Sequence, residues 1–199
     1  MKRAIIIVGA SGVGKTTVAN VILENPKYSL VRSATTRKPR EDGNDSEYIY
    51  LSNDEFQNAV KNGEMLEFTE YGGNFYGTPK KETLATLESG KNVILELEVE
   101  GAMNIKAQYP EAILILFLPP SFAVQEQRLR KRGTETEEKI CARLERTKEE
   151  LKLANAYDYV VYNHDFRDAE AAQKILNIID AELSSIKRNP DVEFNYFAN

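Results

Sequence analysis

Gly9-Ala10-Ser11-Gly12-Val13-Gly14-Lys15-Thr16 satisfies the pattern G-x-x-x-x-G-K-[ST], and its neighbours supply the context that the pattern needs. The run before it, Ala4 to Val8, is short, apolar and β-branched, which reads as a buried strand. After it, Thr16 to Leu23 carries apolar residues at helical spacing. Strand, glycine loop and helix together make a phosphate site: glycines let backbone N–H groups turn inward, and the helix N-terminus adds positive potential. The expected cradle is Gly9, Ala10, Ser11, Gly12, Val13, Gly14, Lys15, Thr16 and Thr17, with Lys15 on the β- and γ-phosphates and the Thr16 hydroxyl on Mg²⁺. An ordinary tight turn would leave the Lys15-Thr16 pair without a reason.

Composition sets the outer bounds. A chain of 199 residues suggests one domain, with room for inserted subdomains. The net charge of −5 argues against a nucleic-acid partner. Cys141 is the only cysteine, so an internal disulfide is impossible and a cytoplasmic location is expected; its helical neighbours suggest a buried, inert thiol. His164 is the only histidine, which removes Ser-His-Asp catalysis and zinc sites built from Cys and His. Met1-Lys2-Arg3 leads straight into the first strand without a secretory pattern. The longest apolar run, Ala112 to Leu118, is too short to cross a bilayer, so no membrane role is expected.

Four segments read as parallel core strands: 4–8, 92–97, 112–118 and 158–162, with a weaker strand at 28–31. Helical patterns separate them, so the fold class is α/β, a P-loop parallel sheet flanked by helices. From Arg32 to Glu88 short strand-like runs (47–51, 65–69, 74–76) alternate with Gly-, Asn- and Asp-rich turns around one helix, 53–61, with Asn53 as N-cap. This is a mainly β insertion. A second insertion, 121–156, reads as two charged helices hinged at Gly133, the second opening with a capping box, Thr134 to Glu137. The segments 1–31, 89–120 and 157–187 form the core of a single domain, and the tail 188–199 has a frayed end as its default.

A second constellation narrows the ligand. Ser33 to Arg40 places the guanidinium groups of Arg37 and Arg40 three residues apart, with Pro39 stiffening the segment. Arginine forks match phosphate oxygens, so the pair suits a second phosphate opposite the P-loop, with Tyr48 and Tyr76 as further hydroxyl donors. Taken alone, the same segment also reads as a solvated basic loop.

With these motifs in place the chain resembles the guanylate kinases. Ser33-Ala-Thr-Thr-Arg37-Lys-Pro-Arg40, Gly63-Glu-Met-Leu-Glu67, Gly73-Asn-Phe-Tyr76-Gly-Thr78, Pro119-Pro-Ser121, Arg128-Leu-Arg-Lys-Arg132-Gly133-Thr134 and Val160-Val-Tyr-Asn163 stand in that family's order over residues 3–180. The resemblance implies a nucleoside monophosphate kinase with a GMP-binding region (32–88) and a helical lid (121–156). It would move the γ-phosphoryl of ATP to GMP or dGMP with Mg²⁺, as a monomer or a homo-oligomer. Carried over by position, Arg37, Arg40, Tyr48 and Tyr76 hold the GMP phosphate, and Ser33, Glu67, Thr78 and Glu98 contact guanine. Lys15, Arg37, Arg128, Arg132 and Arg143 act on the transferring phosphoryl, Asn163 lies near adenine, and Thr16 with Glu96 serves the metal, through water or directly.

The chemistry of the residues agrees. Guanine presents N1–H and a 2-amino group on one edge, and the Glu67 carboxylate can accept from both, whereas adenine offers no such pair. Arg128 and Arg132, four apart on a helix, share a face; a solvated stripe bridged to Glu is the bland alternative. An arginine closing on the developing charge can be worth about 10³–10⁵ in rate. No general base is needed, because the acceptor is an already ionised phosphate oxygen.

The third acidic set departs from the family pattern. Glu96, Glu98 and Glu100 alternate and would point to one side if the strand continues; the family's usual residues there are Asp, Asp and Gln. Glu98 on a strand end could instead simply face solvent. The Arg40–Tyr48 connection is also a residue short and very acidic. Two other functions remain open at this point: a P-loop kinase acting on another phosphorylated small molecule, and a non-catalytic guanylate-kinase-like binding module.

Overall fold

The computed structural model describes residues 5–8, 13–39, 48–133 and 136–197; for residues 5–8, 71, 132 and 195 it describes only the backbone. Gly9, Ala10, Ser11, Gly12, Arg40 and the 41–47 connection lie outside the described residues. In chain order the main elements are β1 (Ile5–Val8), α1 (Lys15–Leu23), β2 (Tyr28–Leu30), β3 (Ser33–Thr35), β4 (Tyr48–Tyr50), α2 (Asn53–Lys61), β5 (Met65–Tyr71), β6 (Asn74–Pro79), α3 (Lys80–Glu88) and β7 (Asn92–Glu96). They continue with α4 (Val99–Gln108), β8 (Ile113–Leu118), α5 (Phe122–Arg132), α6 (Glu137–Leu151), β9 (Tyr159–Tyr162), α7 (Asp168–Ser184) and α8 (Val192–Phe197).

Aliphatic runs with no polar face make strands that must be covered on both sides. β7 and β8 are such runs, and they stand in a five-stranded parallel sheet of order β2-β7-β1-β8-β9, whose edge strand β9 leaves Val160 and Tyr162 nearly half exposed. Alternation divides their side chains between two cores. Ile94, Ile113, Ile115 and Phe117 pack with Val18 and Ile22 of α1 and Ala172, Ile175 and Ile179 of α7. Val93, Leu95, Leu97 and Leu114 pack with Ala102 and Ile105 of α4 on the other face. Each of the Val, Leu, Ile and Phe side chains among these contributes about 1.5–3 kcal/mol by leaving water. The central strand β1 runs into the glycine loop and α1, with β7 on one side and β8 on the other. This is the switch point at which open α/β sheets take ligands.

The 32–88 insertion builds a second sheet, β4-β3-β6-β5. Its registers pair Ser33 with Tyr48, Thr35 with Tyr50 and Tyr76, Thr69 with Tyr76 and Glu67 with Thr78. Cross-strand partners share a face, so all these polar residues line one side. The opposite side packs on α2, where Phe56 stacks on Phe75 at 5.5 Å and meets Phe68 edge-on. Gly72 and Gly73, with φ of 57° and 74°, form the β5–β6 turn that this conformation reserves for glycine.

Several local expectations give way. The N-cap of α2 is Ser52, not Asn53: its hydroxyl accepts from Glu55 N (3.2 Å) and Glu55 reaches back to Ser52 N (2.7 Å). That reciprocal pair outcompetes a single Asn cap. The N-cap residue of α6 is Thr136, whose carbonyl accepts from Ile140 N at 3.0 Å; Thr134 of the expected capping box lies outside the described residues. Cys141 is exposed, because α6 buries the stripe Ile140, Leu144 and Thr147 and leaves the next position outside. Gly133 does end α5, in a left-handed conformation with φ 63°. The tail is helical at α8, and Arg188 ahead of it is anchored on Glu182 and the Glu111 carbonyl, both at 2.8 Å. Among the described residues no helix is long and apolar enough to cross a membrane.

Candidate active site

The first-strand loop delivers Gly14 in a left-handed conformation (φ 88°) directly before Lys15 opens α1. A Cβ at Gly14 would meet Asn163 Nδ2 at 2.8 Å. Asn163, on the segment after β9, is almost fully buried and donates from Nδ2 to Val13 O (3.0 Å) and Asp168 Oδ1 (3.1 Å). Its side chain therefore braces the end of the glycine loop from below. Thr17 is exposed on the first turn of α1.

The acidic set does not line up as one row. β7 ends at Glu96, Glu98 becomes the N-cap residue of α4, and Glu100 is exposed in the first helical turn. The helix start overrides strand alternation, since carboxylates are favourable beside a helix N-terminus. Thr16 Oγ1 donates to Glu96 Oε2 at 3.3 Å, and Lys15 Nζ lies 3.8 Å from Glu98 Oε1. Glu150 of α6 enters the same neighbourhood: burial raises its pKa, Arg146 bonding at 2.6 Å opposes this, and Glu98 raises it further. Burial, with Glu150 and Glu98 nearby, also pushes the Tyr157 phenol up. Glu98 Oε2 and the Tyr157 hydroxyl are buried without hydrogen-bond partners among the described residues, a polar interior suited to a charged ligand rather than to packing.

Across from this cluster, the polar face of the second sheet gathers the other predicted residues. Arg37 sits 5.4 Å from the Tyr48 ring and 5.9 Å from the Tyr50 ring, within range of a cation–π contact. Its Nη2 donates to the Tyr50 hydroxyl at 3.3 Å. Tyr48 meets Tyr76 edge-on at 6.1 Å. Burial, then the neighbouring Tyr76, Glu96 and Glu98, pushes the Tyr48 phenol up to about 12, with Arg37 pulling the other way. Tyr48 is thus a neutral hydroxyl donor that already feels the carboxylates beside the P-loop. Ser33 lies in the same face, opposite Tyr48.

Glu67 is buried on that face, at 6% exposure, beside the fully buried Thr78. Its Oε1 accepts from Thr78 Oγ1 at 2.6 Å. Burial pushes its carboxyl up to about 7, against the Thr78 hydrogen bond, with a further push from Glu100. One carboxylate oxygen is locked by the β5–β6 pairing, and the other abuts Gly101 of α4.

Arg128 turns toward the segment after β9, donating to Asn163 O at 2.8 Å and to Asp165 Oδ1 at 2.7 Å; the side chain of Arg132 lies outside the described residues. Arg143 is partly buried beside the Ile140–Leu144–Thr147 stripe of α6. A buried bond from Gln125 Nε2 to Thr147 Oγ1 (2.9 Å) ties α5 to α6.

Tyr50, Glu150, Tyr157, Asp165 and Gly101 belong to this neighbourhood and escaped sequence reading. Tyr50 carried a signal, since two residues from Tyr48 on a strand means the same face. The others arrive from distant elements and carried none.

The chain is similar to known proteins over most of its length. The guanylate kinase family model matches residues 1–182. The guanylate kinase of Clostridium tetani is 40% identical over 188 residues, covering 94% of this chain and 89% of that protein. That of Lactococcus lactis is 43% identical over 195 residues, covering 94% and 92%. Among solved structures, guanylate kinase from Anaplasma phagocytophilum superimposes with a TM-score of 0.76 at 28% identity, covering 94% of this chain and 89% of that one. The chain belongs to the guanylate kinase family.

Proposed function

We propose that the protein transfers the γ-phosphoryl of ATP to GMP, giving ADP and GDP, and accepts dGMP as well. The observation that carries this reading is Glu67: a buried carboxylate, held by Thr78, on the same sheet face as Arg37, Tyr48 and Tyr76. It offers guanine N1–H and the 2-amino group an acceptor that adenine, lacking that donor pair, would leave unpaired in a dry site, which is how strong discrimination arises. Ser33 and Glu98 complete the guanine set; Arg37, Arg40, Tyr48 and Tyr76 hold the phosphate.

Residues 32–88 serve as the GMP-binding region, 121–156 as the lid and the remaining segments 1–31, 89–120 and 157–187 as the ATP-binding core. The loop from Gly9 to Gly14 would cradle the ATP phosphates, with Lys15 on the terminal ones. Arg132 and Arg143 would close on the transferring group, and Arg128, beside Asn163, would border the adenine end. The acceptor oxygen is ionised near neutral pH, so alignment and cationic stabilisation supply the catalysis. Removing the solvent from between Lys15, Arg37 and the lid arginines strengthens each of those interactions.

The Thr16 hydroxyl and Glu96 carboxylate, 3.3 Å apart, are hard oxygen donors of the kind Mg²⁺ takes. Among the described residues no group of three or more His, Cys, Asp or Glu side chains is placed to hold a metal ion by itself. Such a pair therefore fits an ion that draws its remaining ligands from water and nucleotide phosphates. When bound, the ion neutralises charge on the bridging phosphates. A coupled assay comparing GMP, AMP, dTMP and UMP tests the reading: GMP should be strongly preferred, and Lys15→Ala should abolish turnover. Equal use of all four would remove the guanine assignment, and turnover that survives Lys15→Ala would remove the P-loop one.

A further inference from the structure

Gly101 stands at the third position of α4, a place where an alanine would suit the helix better than glycine does. Its backbone needs no glycine, since it is absent from the left-handed positions. What an added Cβ would meet is the guanine-facing carboxylate: Glu67 Oε2 at 2.7 Å and Glu67 Cδ at 3.1 Å. The other carboxylate oxygen is fixed on the opposite side by Thr78 at 2.6 Å. Glu67 is therefore wedged between a hydroxyl on β6 and the bare Cα of Gly101, with two contacts that together set where its free oxygen points.

We propose that Gly101 is a positioning residue for guanine recognition, its missing side chain being the space that keeps the Glu67 carboxylate aimed at the acceptor base. This deepens the GMP-kinase reading and rests on it. The atoms in the way are the far end of a flexible side chain, so a Cβ at this position displaces Glu67 instead of breaking the fold. Its effect falls on one edge of one substrate. ATP handling, built on Lys15 and the loop before it, shares no atom with this contact.

The test is Gly101→Ala, assayed with GMP and with inosine 5′-monophosphate, which keeps N1–H but lacks the 2-amino group. Thermal unfolding should stay level or rise, because the helix gains a better former. The KM for GMP should rise about tenfold or more while kcat at saturation and the KM for ATP stay within about threefold, and the preference for GMP over the inosine nucleotide should shrink at least about fivefold. An unchanged KM and preference in a folded variant would overturn the proposal. So would unfolding, or a parallel loss of ATP and GMP handling, since either makes Gly101 a structural residue. If the unmodified protein itself shows no preference for GMP, the functional reading fails first, and the two failures are told apart by that control.

Discussion

Glu67 holds its charge in a place that penalises it. Burial pushes its carboxyl from 4.5 to about 7 despite the Thr78 hydrogen bond. If Glu67 is the guanine acceptor as proposed, the base needs its ionised form, so GMP binding should weaken about tenfold for each pH unit below 7 and be accompanied by proton release. The nucleotide-free fold obeys the opposite sign: the folded pKa lies above the unfolded one, so this group's contribution to stability is complete below 4.5 and is lost as pH rises through about 7. Calorimetric titration of GMP in buffers of different ionisation enthalpy reads both the affinity and the proton. A flat profile from pH 6 to 8 (on the order of two units around the folded value) would mean that the acceptor is not a carboxyl raised to about 7. Tyr50 offers a smaller test at the same scale. Removing its hydroxyl in Tyr50→Phe takes one acceptor from Arg37 at 3.3 Å but keeps the ring beneath the guanidinium. A net hydrogen bond of about 0.5–1.5 kcal/mol predicts a ~2- to 10-fold rise in the KM for GMP, with the KM for ATP unaltered.

Two glycines in neighbouring elements separate recognition from architecture. Gly77 on β6 faces Phe56 of α2: an added Cβ would meet Phe56 Cζ at 3.0 Å, the Glu67 backbone carbonyl at 3.1 Å and Met65 Sδ at 3.3 Å. Unlike the Glu67 carboxylate beside Gly101, a strand carbonyl cannot step aside. Gly77→Ala should therefore lose about 1–3 kcal/mol of stability in urea denaturation, where Gly101→Ala should lose none. The same contrast explains what the sequence made legible. β7 and β8 were readable because a buried parallel strand is apolar whatever surrounds it, and β1 and β9 because their runs are short and β-branched. The polar face of the second sheet was half readable: Ser33, Tyr48, Glu67, Tyr76 and Thr78 follow from motif order, yet β3 reads as a basic loop until Tyr48 and Tyr76 pair with it. Ser52 displaced Asn53 as cap, and Glu98 left the strand for a helix N-terminus, because single-residue backbone choices depend on hydrogen bonds that local sequence does not settle. The partner of Arg128 was not legible for a tertiary reason, since Asp165 comes from another segment.

On the scale of the whole molecule, the two proposed nucleotide sites meet at one ion pair. The proposed function assigns Lys15 to the ATP cradle and Glu98 to the guanine set, and the two lie 3.8 Å apart, with 14% and 24% of their side chains exposed. Glu150 sits close enough to sense both. An ATP phosphate arriving at Lys15 must displace or tolerate the Glu98 carboxylate, and at 4 Å with an effective dielectric near 20 two unit charges interact by about 4 kcal/mol before solvation offsets. GMP, by engaging Glu98, would draw that carboxylate away and so favour ATP. Linkage makes the effect mutual: whatever factor GMP brings to ATP affinity, ATP brings to GMP affinity. Glu98→Gln removes the charge at nearly the same size. The expected result is tighter binding of a non-hydrolysable ATP analogue without GMP, by about threefold or more, together with a smaller gain when GMP is added. Calorimetry on the pair of proteins, with each nucleotide alone and then together, measures all four affinities. Should the variant bind the analogue no better than the parent, the Lys15–Glu98 contact is not a barrier to ATP, and any coupling between the sites must run through movement of the lid instead.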